Sequence, residues 1–207
     1  MRITFLKHAS FLLDGELKIY IDPYNLVGNL PEADMVLITH SHFDHCSPDD
    51  VSKVGSQKTV ILAPPDCSIP FDFKSIKPGD VSRNNNIVVT TVPAYNIGKN
   101  FHPKDKNWVG YIIDISGIKI YHAGDTDVID EMAEIETDIA LLPVGGTYTM
   151  DFAEAIEAVK KINPKLAIPM HYGEVVGSTN DAINFCQRCP VECKVMKPYE
   201  SWEVDIK

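Results

Sequence analysis

The run Thr39-His40-Ser41-His42-Phe43-Asp44-His45-Cys46 places three of the chain's seven histidines and one carboxylate within six consecutive residues. Imidazole and carboxylate are ligands that zinc, manganese and iron accept. Buried together without a cation, the three rings and Asp44 would each need a separate hydrogen-bond partner, and any charge left unpaired would be costly. Metal coordination is the chemistry that this density serves. One loop of this length cannot wrap a single ion with all four groups, because His40 and His42 alternate to one side while Asp44 and His45 are displaced along the chain. Two ions are therefore expected, and more ligands must come from elsewhere.

Two further groups stand where such ligands would. Asp125, in His122-Ala123-Gly124-Asp125-Thr126-Asp127, directly follows an apolar run, and Gly124 lets the backbone turn tightly beside it. It suits a carboxylate bridging two ions. His171 follows the run LAIPM and precedes Tyr172-Gly173. Taken alone, Asp125 reads as a turn residue capping a helix and His171 as a solvated loop histidine; the cluster gives both their weight.

The elements that must position these groups can be read from periodicity. Short apolar, β-branched runs between turn signals predict strands over residues 3–6, 17–21, 35–39, 59–63, 87–92, 109–115, 118–122, 139–144 and 166–169. Ser116-Gly117 between two of them predicts a hairpin. Phe152, Ala155, Ile156, Val159 and Ile162 fall at helical spacing behind an Asp151/Glu154 capping pair, and a second helix is predicted over residues 180–188. Ser47-Pro48-Asp49-Asp50 has the form of a helix start: a hydroxyl cap, proline in the first turn and two acids at the positive end. The histidine run thus joins a buried strand to a helix, a place where rigid bases let side chains converge. No linker or repeat interrupts the pattern, so residues 1–207 are expected to form one mixed α/β domain.

Bulk composition narrows the partners. With 29 acidic against 19 basic residues the formal net charge is -10 and the basic residues are scattered, so a polyanion such as nucleic acid is disfavoured. No stretch approaches the roughly 18–20 apolar residues of a membrane span. Lys7, His8 and Asp14 interrupt the N-terminal run and no small-residue cleavage site follows, so a cytoplasmic location is expected. Five cysteines without a secretion signal predict reduced thiols rather than a disulfide framework. The set Cys186, Cys189 and Cys193 lacks a fourth cysteine nearby and reads as half-buried thiols rather than a metal site; Cys46 reads as packing.

Taken in order, THSHFDH, GDTD and PMHYG resemble the metallo-β-lactamase superfamily, and the resemblance covers almost the whole chain. The segments ITFLKHASFLL, VPAYN, FHP, YHAGDTD and LLPVGGTYTM look like its small stand-alone metal-dependent hydrolases, whose relatives include lactonases of the ascorbate-phosphate type. The resemblance implies a four-layer αβ/βα sandwich. It implies two divalent ions, zinc or manganese with iron an alternative, the first bound by His40 and His42, the second by Asp44, His45 and His171, with Asp125 between them. Many members carry a third histidine for the first ion in a form such as VPAWH; here that position is Asn96. His102, six residues on, is expected in its place, with Asn96 or water as the weaker substitute. His8 is balanced between a substrate or supporting role and a structural one, His122 reads as an orienting residue, and Tyr148 as a candidate oxyanion donor more readily explained by packing.

The implied activity is hydrolysis of an ester, lactone or phosphodiester of a small-molecule substrate, by a hydroxide bridging the metals, with Asp44 and Asp125 as the catalytic carboxylates. A mononuclear iron dioxygenase and a non-catalytic metal-holding domain are the alternatives. Short loops leave room for homo-oligomer contacts to shape the substrate site.

Overall fold

The computed structural model describes residues 1–204. The chain divides into two compact units, Met1–Ile76 together with the segment from Met196 onward, and Lys77–Val195. Each is built on its own seven-stranded mixed sheet.

In the first unit β1 (Arg2–Lys7), β2 (Ser10–Asp14) and β3 (Lys18–Ile21) form an antiparallel meander, and β4 (Met35–Leu37), β5 (Val60–Ala63) and β6 (Lys74–Ser75) extend it in parallel. The last strand of the chain, Glu200–Glu203, returns antiparallel to β1. The parallel strand β4 is buried at every position, as expected of a strand covered on both faces. Between β4 and β5 lies α1 (Pro48–Val54). Ser47 caps it through an Oγ that accepts from the Asp50 amide, and proline occupies the first turn, as the sequence predicts. Val51 and Val54 on its inner face join Leu6, Leu12, Tyr20, Val36, Ile38 and Ile61 in one core. Each such aliphatic side chain, fully buried, stabilises by about 1.5–3 kcal/mol, which anchors the base of the preceding histidine loop.

In the second unit β7 (Val81–Asn84), β8 (Ile87–Pro93), β9 (Val109–Ile115) and β10 (Ile118–His122) pair antiparallel in sequence order. The predicted hairpin is present: Ser116 (φ 54°) and Gly117 (φ 90°) both take the left-handed conformation that a two-residue turn of this twist requires. From β10 the sheet continues in parallel through β11 (Ile139–Pro143), β12 (Leu166–Met170) and β13 (Glu192–Cys193). The helix α2 (Phe152–Ile162) carries the predicted reciprocal cap of Asp151 and Glu154, and buries Ala155, Ala158, Val159 and Ile162. The helix α3 (Thr179–Arg188) buries Ala182 and Phe185.

One cysteine expectation is corrected. Cys186 and Cys193, read as reduced thiols, form a disulfide. α3 ends at Arg188, and the short return into β13 sets the two Cα atoms 5.2 Å apart, inside the range a disulfide spans. Cys46, Cys67 and Cys189 are free, and Cys46 is buried as the packing reading expects. Among the described residues no helix is long and apolar enough to cross a membrane.

The parallel part of each sheet fixes where chemistry can be placed. Side-by-side strands running the same way end together, so the loops after β3 and β4 in the first unit emerge at one edge, as do those after β10, β11 and β12 in the second. These loops carry most of the candidate residues.

Candidate functional site

In the first unit the organising residue is one that sequence reasoning missed. Asp22 directly follows β3, takes φ 45°, and is fully buried. Its Oδ1 accepts from the Thr39 amide at 2.8 Å, and its Oδ2 accepts from Thr39 Oγ1 and His45 Nδ1, both at 2.7 Å. These bonds fix the protons. With Thr39 Oγ1 donating to Asp22, the same oxygen accepts from His40 Nδ1 at 2.9 Å. His40 and His45 therefore both carry hydrogen on Nδ1 and present Nε2 as a lone pair, the tautomer a metal-binding imidazole needs. The signal was present in the sequence as a carboxylate ending the apolar run Lys18–Ile21.

The other groups of the loop lie close by. His40 Nε2 and His42 Nδ1 are 3.1 Å apart, and Asp44 Oδ2 is 3.8 Å from His45 Nε2. His8 joins them: its Nε2 is 3.0 Å from Asp44 Oδ2, its ring is buried, and it too has a left-handed φ of 54°. Non-glycine residues pay for that conformation, so its recurrence at Asp22 and His8 marks backbone held in place by its surroundings. Cys46 packs against Cys67, whose thiol hydrogen-bonds to it and lowers its pKa.

In the second unit three predicted groups meet. His102 Nε2 and His171 Nε2 lie 3.2 and 3.0 Å from the same oxygen, Asp125 Oδ2, and all three residues are buried. Both histidines take left-handed φ, 55° and 58°. Asn96 does not stand with them as a histidine would. Its Nδ2 donates to Tyr148 O at 2.6 Å and Phe101 O at 3.0 Å, bracing the loop that delivers His102. With both amide hydrogens so used, His102 Nδ1 carries its own hydrogen to Tyr148 O at 3.1 Å. Tyr148 thus contributes its carbonyl, while its ring packs edge-on against Phe101 at 4.7 Å. His122 is fully buried, and its Nδ1 accepts from the Gly124 amide, an orienting contact at the foot of the Asp125 loop.

This proton placement tests whether the residues suit a metal. His102 Nε2, a lone pair, faces a carboxylate oxygen, an acceptor against an acceptor. A cation between them resolves the conflict, and a metal ion serves both imidazoles where a proton would serve one. Two ligands about 2.1 Å from a common ion are roughly 3.0–3.4 Å apart in octahedral or tetrahedral geometry, and the His40–His42 pair in the first unit and the His102–Asp125 and His171–Asp125 pairs in the second fall in that range. The donor set fits. Among the described residues, those able to hold a metal ion are His8, His40, His42, Asp44 and His45 in the first unit and His102, Asp125 and His171 in the second.

Comparison with known proteins agrees. A Beta-lactamase superfamily domain matches residues 2–171. A UPF0173 metal-dependent hydrolase of Archaeoglobus fulgidus is 35% identical, covering 98% of this chain and 99% of its own, and one of Pyrococcus furiosus is 33% identical over 99% and 100%. A protein of Parabacteroides distasonis, assigned to the metal-dependent hydrolases, superposes with a TM-score of 0.84 at 31% identity, covering 96% of this chain and 93% of its own. Igni18, a metallo hydrolase from Ignicoccus hospitalis, shares the fold with a TM-score of 0.80 at 24% identity, over 100% and 99% of the two chains. With this α/β fold and this match along its length, the chain belongs to the metallo-β-lactamase superfamily of metal-dependent hydrolases.

Proposed function

We propose that the chain hydrolyses an ester, lactone or phosphodiester of a small-molecule substrate with two divalent ions, zinc or manganese. His40, His42 and His102 hold the first, Asp44, His45 and His171 the second, and Asp125 is shared. The observation that carries this reading is the pair of imidazole Nε2 atoms set against the single oxygen Asp125 Oδ2. When bound, such ions acidify a water toward neutrality and polarise the scissile group.

The chain's own residues do the rest. Asp22 and Thr39 hold His45 and His40 in the ligand tautomer, and the Tyr148 carbonyl does the same for His102. His8 donates Nε2–H to Asp44 and limits that carboxylate's rotation. Asp44, or a bound water, would take the proton of the attacking water and pass it to the departing oxygen. Elemental mass spectrometry of protein purified without chelator or histidine tag tests the reading. Close to two ions per chain are expected, falling below one in Asp125→Ala and in His45→Ala. Stripped protein that turned over esters, lactones or phosphodiesters as fast as loaded protein would overturn it.

A further inference from the structure

Cys46 and Cys67 take no part in the proposed chemistry, yet they meet beside it in the first unit. Both are free, both are buried (6% and 8% exposed), and both belong to the core under the histidine loop, whose other buried members are aliphatic side chains and Tyr20. Cys46 follows His45 directly, and its amide donates to His42 O at 2.8 Å, closing the turn that carries the ligands. Cys67 comes from a different element, the loop after β5. Its thiol donates to Cys46 Sγ, and the Ser68 amide donates to the same sulfur. One residue before Cys67, Asp66 Oδ2 accepts from Ser41 Oγ at 3.0 Å. The two loops are therefore joined at both ends of the ligand run, by a hydrogen bond at Ser41 and by a pair of sulfurs at Cys46.

Cysteine packs as a small apolar residue, so packing alone does not ask that two of them touch; what a touching pair adds is the capacity to bond. We propose that Cys46 and Cys67 are a site of oxidative modification: hydrogen peroxide joins them in a disulfide, and the new bond draws the histidine loop out of the arrangement that holds metal. Two S–H bonds and the peroxide O–O bond break, one S–S bond and two O–H bonds form, and the two electrons and two protons of the pair are carried off in two waters. Both residues retain a little exposure, and peroxide is little larger than water.

A disulfide sets its sulfurs about 2.05 Å apart, roughly an ångström inside hydrogen-bond contact. That closure pulls on Cys46 and on the turn its amide braces, so His42 and His45 are drawn from the positions that the turn and Asp22 give them. Oxidation and binding are then linked reciprocally: the factor by which the disulfide lowers metal affinity is the factor by which bound metal opposes the disulfide. The loss of metal affinity rests on the metal reading above; formation of the disulfide does not.

The test uses the full chain carrying Cys189→Ser, which leaves Cys46 and Cys67 as its free thiols. Metal-free protein is treated briefly with peroxide, desalted, and titrated calorimetrically with manganese, an ion for which thiols compete weakly. Both free thiols should disappear, a cross-linked Cys46–Cys67 peptide should be found by mass spectrometry, and manganese affinity should fall about tenfold or more. Dithiothreitol should restore thiols and affinity together. In redox buffers of the same dithiol, saturating manganese should make the pair harder to oxidise by the same factor, about 30 mV for tenfold. Cys67→Ser and Cys67→Ala, each in the same background, should bind manganese equally well before and after peroxide. Survival of both thiols, or their loss without the cross-link, overturns the modification site. A cross-link that leaves manganese affinity within twofold overturns its effect on the ligands. Reduced protein that binds no manganese while the cross-link still forms sinks the metal reading and sustains the modification site.

Discussion

At the scale of single residues, the deciding feature is where protons sit. Asp22 accepts three hydrogen bonds, two from Thr39 and one from His45, and through them sets two imidazoles. Asp22→Asn replaces an acceptor oxygen by a donor, so one of these bonds is lost and the His45 tautomer is freed. Metal affinity should fall about 10–100-fold, the usual cost of removing such a supporting group, and competition with a chromogenic chelator would read it. A fall of less than twofold would show that Asp22 serves the fold alone. Asp50 illustrates the opposite use of a buried carboxylate. Burial pushes its pKa up, but Lys53, Ser47 and the Leu26 and Asn25 amides together overcome that, and the net shift is downward. A depressed native pKa contributes stability present above the unfolded value near 4 and lost as pH falls through the native one. Asp50→Asn should therefore destabilise by about 1–3 kcal/mol at pH 7, with the gap from the native chain closing below about pH 4. Urea unfolding at both pH values decides this.

At the scale of elements, the loops after the parallel strands are shaped by close backbone approach as much as by side chains. A Cβ built on Gly145 would lie 2.2 Å from the carbonyl oxygen of His171, and one on Gly177 would lie 2.6 Å from Gly145 Cα. Neither partner is a flexible side chain, so the loop carrying His171 must move. Gly145→Ala should cost about 1–3 kcal/mol and lower metal occupancy as His171 shifts away from Asp125. Gly173→Ala is the informative control: space is open around it, but its φ of 81° imposes a strain of about 1–2 kcal/mol with no backbone collision. If the two variants lost the same occupancy, general loosening rather than displacement of His171 would be the cause. These approaches were invisible in the sequence, where Gly145-Gly146 reads only as a turn. The regular strands and the α2 cap were legible because their signals are local, in burial period and in residues three apart. The strands Val81–Asn84 and Glu200–Glu203 were not, because they are short, half-exposed edge strands formed by pairing with distant partners. Asp22 was missed for the same reason: its partners lie 17 and 23 residues away. The disulfide was missed because spacing alone does not say where α3 turns back.

At the scale of the whole molecule, metal and stability are linked by mass action. The candidate ligands are spread from residue 8 to residue 171, so the unfolded chain offers only the local HxHxDH run, whereas the native chain offers preset imidazoles and carboxylates. An ion that prefers the native state stabilises it by about 2.7 kcal/mol at a free concentration one hundred times its dissociation constant. For a chain of this length, roughly 2–4 °C per kcal/mol follows, so saturating zinc or manganese should raise the midpoint of thermal unfolding by about 5–10 °C over chelated protein. The rise should grow with the logarithm of free metal, which separates linkage from a nonspecific salt effect. His45→Ala and Asp125→Ala, one change in each unit, should each shrink it markedly. Magnesium at the same concentration should do less, since it favours oxygen ligands and most of this donor set is imidazole nitrogen. A midpoint indifferent to zinc, manganese and iron would mean that the carboxylate and imidazoles gathered at Asp125 are reconciled by protons, and the metal assignment would fail.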